Sequence, residues 1–329
     1  MASSLAKIGV ISIGDMGMGI AKLLIANGFS VATNCKGRSD DTIERAKGAQ
    51  VEVLKSDEDL AEKCSVILSV VPPRDSIATA QRVIDAVTGP FSRSNPLYFA
   101  DLNAVAPSTA RSIASAIEKS KAQIRFVDGA ILGGPPSLRA GANPDAPSSS
   151  NKTSEWNVPS IPASGPFKIS DIPDYGEKLS ATLNMKHISE DIGAASGLKM
   201  CFASFSKGLT SIAIQSFTTA KRLGVLDELR SEMQDIMPTN WKSGERGVIN
   251  MAPKAYRWVK EMEEIALTFE EEGGFPQDSF QGAAKVYRTV AEDTDLGKEK
   301  VGKRKRGLDV DDMAAAMAEG MGSKKKKND

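Results

Sequence analysis

One histidine, His187, serves a chain of 329 residues. A histidine-rich metal centre is therefore excluded, and a Ser-His-Asp triad would have to be built on that single side chain. His187 sits in LNMKHISED, where it reads as an ordinary strand-end histidine. Any acid–base chemistry then falls to a lysine, a tyrosine or a carboxylate. Cysteine is nearly as scarce. Cys35, Cys64 and Cys201 are odd in number and far apart, which makes neither a disulfide framework nor a zinc pattern, so no metal is expected. Net charge is also missing: 42 basic residues balance 42 acidic ones, so average charge gives no reason to expect nucleic-acid or membrane partners. No run of about 20 apolar residues is present to span a bilayer. The start, MASSLAKIGV, has no apolar core of a secretory signal, and a cytoplasmic protein is the expectation.

What is present is alternation. Apolar runs at 6–13, 29–34, 65–71, 96–102 and 124–130 are separated by helix-period segments such as 75–87 and 107–120. Short apolar runs bounded by prolines and turns fit buried parallel strands, so the first half is predicted to be an α/β doubly wound parallel sheet. Residues 139–157 are rich in Pro, Ser, Asn and Gly and predict a long loop, which holds a formal glycosylation sequon at Asn151. From Gly193 the period turns helical for about 30 residues without proline. This helix is apolar around much of its circumference, so it is expected to be buried on several sides, by its own domain or a second subunit. Further helices are expected near 225–236, 253–272 and 277–292. The predicted organisation is a sheet domain over 1–190, an all-α domain over 191–295 and a disordered charged tail over 296–329, with a short helix near 309–319. KRKR (303–306) and KKKK (324–327) read as solvated charge, with nuclear import or nucleic-acid contact as the alternative.

The stretch VISIGDMGMGIAKLL places Gly14 and Gly17 where a dinucleotide-binding G-x-G-x-x-G has its second and third glycines. Ser12 stands at the first. Gly14, Asp15, Met16 and Gly17 would bring a helix N-terminus against a pyrophosphate, the Rossmann-type arrangement; the competing reading is a plain glycine-rich turn. After the second strand, NAD enzymes place an acid on the ribose. Here Lys36, Arg38 and Ser39 follow instead, groups that suit a 2′-phosphate, so NADP is favoured over NAD. Val71 and Pro72, in SVVPP, are further cofactor candidates.

These residues carry a resemblance. IGVISIGDMGMGIAKLLIANG is similar to the opening of the β-hydroxyacid dehydrogenases, the group that includes 6-phosphogluconate and 3-hydroxyisobutyrate dehydrogenases. DLNAVAPSTAR (101–111), VDGAILGG (127–134) and GAASGLKMCFASFSKG (193–208) resemble that family's later motifs. The resemblance covers roughly 7–292. It implies an NADP-dependent oxidoreductase moving hydride between nicotinamide and a small hydroxy acid or its keto form. It further implies Lys199 as general acid–base, Asn103 beside the reacting oxygen or the carboxamide, Gly133 and Gly134 at the substrate, and a homodimer. Leu132 and Ala203 replace two polar substrate contacts of the family, so no particular substrate carries over. On the residues themselves, Lys199 sits on a largely apolar face, where burial lowers a lysine's pKa; a snorkelling lysine is the alternative. Lys207, eight residues on near the same helix face, is a candidate for binding a substrate anion. An imine or ketone reductase and an inactive cofactor-binding regulator are the other readings, although imine reductases usually lack this lysine.

Overall fold

The computed structural model describes residues 4–89, 93–140, 155–300 and 303–328, with side chains described as far as residue 322. The chain divides into two compact units, Met1–Lys199 and Met200–Asp329. The division falls inside the long helix and not at the expected residue 190.

In the first unit, strands β1 (Lys7–Ile11), β2 (Ser30–Asn34), β3 (Glu52–Leu54), β4 (Val66–Ser69), β5 (Leu97–Asp101), β6 (Ile124–Gly129), β9 (Ile161–Ser164) and β10 (Met185–Ser189) form one sheet. Its order is β10-β9-β6-β5-β4-β1-β2-β3. Every pairing is parallel except β6 with β9. VILS of β4 and LYFAD of β5 are buried at every position, as strands covered on both faces must be. Alternate residues feed two cores. Ile8, Val10, Leu68, Ala100 and Val127 join one, and Ile11, Ile67, Phe99 and Phe126 join the other. The helices that cover the faces are α1 (Asp15–Ala26), α2 (Asp40–Gly48), α3 (Asp57–Lys63), α4 (Ser76–Val87), α5 (Pro107–Ser120) and α6 (Gly176–Leu183). α7 (Ala194–Leu223) begins at the edge of this unit. Two short strands, β7 (Ser137–Leu138) and β8 (Trp156–Asn157), pair antiparallel at the ends of the expected 139–157 loop. Residues 141–154, with the Asn151 sequon, lie outside the described residues.

The second unit is helical: α8 (Leu226–Ile236), α9 (Pro238–Met251), α10 (Ala255–Glu271), α11 (Asp278–Asp293) and α12 (Val310–Asn328). α9 was not foreseen; its Trp241, Val248 and Met251 are buried. The disordered tail is a second correction. Residues 310–328 are helical, and Val310, Met313, Ala314 and Met317 are buried, with α12 against α9 and α11. KRKR is not simply solvated either. Arg306 bonds Asp312 at 2.7 Å and reaches Glu319, and Arg304 donates to the Ile249 carbonyl. On α7, Phe202, Phe205 and Ile212 are exposed in the single chain, Phe205 at 84%. Among the described residues no helix is long and apolar enough to cross a membrane.

Candidate cofactor and acid–base site

The order 3-2-1-4-5-6 reverses between β1 and β4, and in such sheets ligands bind beyond the carboxyl ends of the strands at that reversal. Ser12–Gly17 follows β1 and Val71–Pro72 follows β4. Gly14 is the N-cap residue of α1 and offers no side-chain cap, so the first N–H groups of α1 are those a helix cannot satisfy itself. A Cβ on Gly14 would meet nothing within 4 Å, which leaves its backbone open to close approach, whereas a Cβ on Gly17 would collide with the Ser12 carbonyl. The turn thus needs Gly17, while the bare backbone at Gly14 leaves room for a pyrophosphate. Ser12 has φ 80°, in the region that favours glycine, so the chain keeps the turn at the cost of strain.

Past β2, Lys36, Gly37, Arg38 and Ser39 are exposed, and Gly37 turns the chain with φ 74°. Lys36 donates its N–H to Asn34 Oδ1 at 2.8 Å, and Ser39 starts α2. Lys36, Arg38 and Ser39 thus precede the N-terminus of α2, whose first turn also carries Asp40 and Asp41; an anion there would meet the helix N–H groups and the two cations. The residues after β1 and β2 fit a dinucleotide.

Across the carboxyl end of the sheet runs a buried polar row. Ser69 is in register with Asp101, Asp101 with Asp128, and Asp128 with Ser164. None is more than 2% exposed. Asp101 accepts from Ser76 at 2.9 Å and from the Asn103 amide. Burial, helped by Asp128, pushes its carboxyl up to about 7, against the hydrogen bonds of Ser76, Ser69 and Asn103. Asp128 accepts from the Ser164 and Ser196 hydroxyls at 2.8 and 2.5 Å and from the N–H groups of Gly193 and Ser196 at 2.9 and 3.3 Å. Burial raises its pKa too, and these four bonds oppose the rise.

Asn103 corrects the expectation. It is 4% exposed, donates to Ser69 (3.0 Å) and Asp101, and accepts the Val71 N–H at 2.7 Å. Both amide hydrogens are engaged inside the protein, so Asn103 acts through the turn after β4 instead of touching the reacting oxygen. Val71, whose N–H it takes, is itself 7% exposed; Pro72 carries no N–H.

Beyond β6 the antiparallel pairing with the β9 chain continues. Ala130 N–H bonds the Pro162 carbonyl, and Leu132 exchanges both bonds with Ser160. Alternation turns the carbonyl of Ile131 away from β9, and Lys199 Nζ donates to it at 2.6 Å. Burial lowers the Lys199 pKa from 10.5 to about 8. Gly133 and Gly134 follow at once; Gly133 has φ 133° and both are exposed. Lys207 is engaged elsewhere. It lies in the second unit against Glu261 and over the Trp258 ring at 5.3 Å, with its side chain 14% exposed, so the substrate-anion role expected of it is withdrawn. His187 is the plain strand-end residue, its ring on the Gly165 carbonyl at 2.8 Å. Asp128, Ser164, Ser69 and Ser76 escaped the sequence reading. Their one signal is a polar residue ending an apolar strand or opening the next helix.

Comparison with known proteins agrees with this geometry. Residues 7–152 match the family described as the NAD binding domain of 6-phosphogluconate dehydrogenase, and residues 220–290 match a domain of unknown function, DUF1932. A curated relative, an uncharacterised 28.5 kDa protein in the 7S RNA 5′ region of Methanothermus fervidus, is 26% identical over 70% of this chain and 76% of its own. The solved structure of MTH1747, a conserved protein of unknown function similar to 3-hydroxyacid dehydrogenases, shares 24% identity and a TM-score of 0.56 over 87% of this chain and 97% of its own. The 3-hydroxyisobutyrate dehydrogenase ygbJ of Salmonella typhimurium gives 16% identity and a TM-score of 0.62 over 94% and 98%. The chain thus joins a segment similar to the NAD-binding domains of the 6-phosphogluconate dehydrogenase type, residues 7–152, to a segment similar to the DUF1932 domain, residues 220–290.

Proposed function

We propose that this protein is an NADP-dependent oxidoreductase of the β-hydroxyacid dehydrogenase type, with Lys199 as its general acid–base. The observation that carries the reading is the half-buried Lys199, its ammonium held by the Ile131 carbonyl beside the Gly133–Gly134 turn, with a pKa of about 8. A lysine near that value can be neutral enough to take a proton and charged enough to return one. The nicotinamide, when bound, supplies hydride transfer. Lys199 removes the proton from a substrate hydroxyl in oxidation and donates one to the carbonyl oxygen in reduction. Gly14 and the first turn of α1 hold the pyrophosphate; Arg38, Lys36 and Ser39 hold the 2′-phosphate. Asn103 fixes the Val71–Pro72 turn. A small hydroxy acid or its keto form is the substrate class in view.

The test is a fluorescence titration with NADPH and NADH of wild type and Arg38→Ala. NADPH is expected to bind more tightly, and the substitution to weaken it about tenfold, as loss of one charge-assisted bond should. Equal affinity for both nucleotides, unmoved by the substitution, overturns the NADP assignment. A hydroxy-acid screen with Lys199→Met as control then tests turnover. We also propose that the chain forms a homodimer through α7, supported by the exposed Phe202, Phe205 and Ile212. A Phe205→Glu variant is expected to be monomeric by light scattering; a monomeric wild type refutes it.

A further inference from the structure

We infer that Asp128 is the positioning residue for Lys199: it grips the first turn of α7 from the end of β6, the same segment whose next residues hold the lysine. This rests on the reading of Lys199 as the acid–base group. A helix start is usually capped by a side chain a residue or so away. The start of α7 is held from afar. The N–H groups of Gly193 and Ser196 go to the Asp128 carboxylate, and that of Ala195 goes to Ser164 Oγ at 3.0 Å. Ser196 adds its hydroxyl to the other oxygen of Asp128.

The spacing makes this a positioning device. Ser196 and Lys199 are three apart on a helix and share a face. Asp128 and Ile131 are three apart on a segment fixed by its pairing with the β9 chain. Asp128 meets Ser196, and Ile131 meets Lys199. Two rigid elements are joined twice, so the helix can neither rotate nor slide without breaking a bond to the buried carboxylate. Gly193 and Gly197 let the same turn come close to Pro107 at the head of α5. The ammonium is thereby held in its apolar place, and a displacement of about 1 Å in such a group can cost 100-fold in rate.

The experiment reads the ionisation of Lys199 directly. Trace acetic anhydride labelling from pH 6 to 11, quantified on the Lys199 peptide by mass spectrometry, is compared in wild type, Ser196→Ala and Asp128→Asn. Wild type is expected to titrate near 8. Both variants are expected to titrate at least tenfold less acidically, moving toward 10.5 as water reaches a loosened lysine, with Asp128→Asn moving further. The pH limb of kcat, once a substrate is found, should move with it while KM stays. A Lys199 titration unchanged in the folded variants makes Asp128 a structural cap and overturns the inference; if Asp128→Asn does not fold, Ser196→Ala decides. The labelling needs no turnover, so a shifted lysine in a protein that oxidises nothing would reject the proposed function and keep the positioning.

Discussion

Replacing Lys199 by methionine should make this protein more stable and inactive together. Holding the lysine charged in the fold costs free energy: the fall of its pKa from 10.5 to about 8 corresponds to roughly 3 kcal/mol against the buried ammonium. Methionine has similar length and no charge. It forfeits the hydrogen bond to the Ile131 carbonyl, a loss of about 1 kcal/mol. A net stabilisation of about 1–2 kcal/mol is expected at pH 7. The pH course gives the sign. Because the folded pKa lies below the unfolded one, the unfolded chain binds the proton more tightly between about 8 and 10.5, and wild type gains stability as pH rises through that window. The advantage of Lys199→Met should therefore shrink above pH 8 and be gone near 10.5. Urea unfolding followed by circular dichroism at pH 7, 9 and 10.5 measures it. A variant less stable at pH 7, or a difference that stays flat with pH, would mean that the ammonium reaches water and that the basis for its catalytic role is wrong.

Other expectations follow from the same structure. Ser12→Gly should relieve the positive φ, gaining about 1–2 kcal/mol against a glycine entropy cost of about 0.5–1, and a net gain should appear as a higher urea midpoint without loss of NADPH affinity. Asp101, whose folded pKa is raised, binds a proton in the fold before the unfolded chain does, so stability should fall as pH rises from about 4 through 7; Asp101→Asn should flatten that slope in the same urea series. Removing residues 309–329 should expose the seats of Met313 and Met317 and lower stability by several kcal/mol, whereas a solvated tail would leave the thermal midpoint unchanged.

The legibility of the sequence followed the range of the forces involved. Strands β1, β4, β5 and β6 are short apolar runs between turns, and the glycine turn lies within six residues, so both could be read locally. α2 could not, because DDTIERAKG buries only Ala46 and its polarity resembles a loop. The tail was misread because its lysine and aspartate blocks dominate composition, while Met313, Ala314 and Met317 make a narrow apolar face that an average hides. Site roles depended on partners far along the chain. Asn103 resembled a ligand-facing amide, but the N–H of Val71, 32 residues before it, donates to its oxygen. Lys207 resembled a free cation, and its partner Glu261 lies in another helix. The lowered pKa of Lys199 could be anticipated from its apolar helix face, but its partner, the Ile131 carbonyl 68 residues away, could not.

The row Ser69–Asp101–Asp128–Ser164 has a consequence for how the sheet chooses its alignment. Strands buried on both faces carry apolar side chains everywhere, so a slip of one residue between neighbours would send nothing apolar into water, and hydrophobicity says little about register. The row supplies what hydrophobicity lacks. Sliding β5 by one residue against β4 would part Asp101 from Ser76, and Asn103 from Ser69 and Val71, and leave buried polar groups dry and unmatched, a misalignment far costlier than any lost methyl contact. The same end of the sheet that carries the candidate site thus acts as the key that lets only one stacking of the strands close.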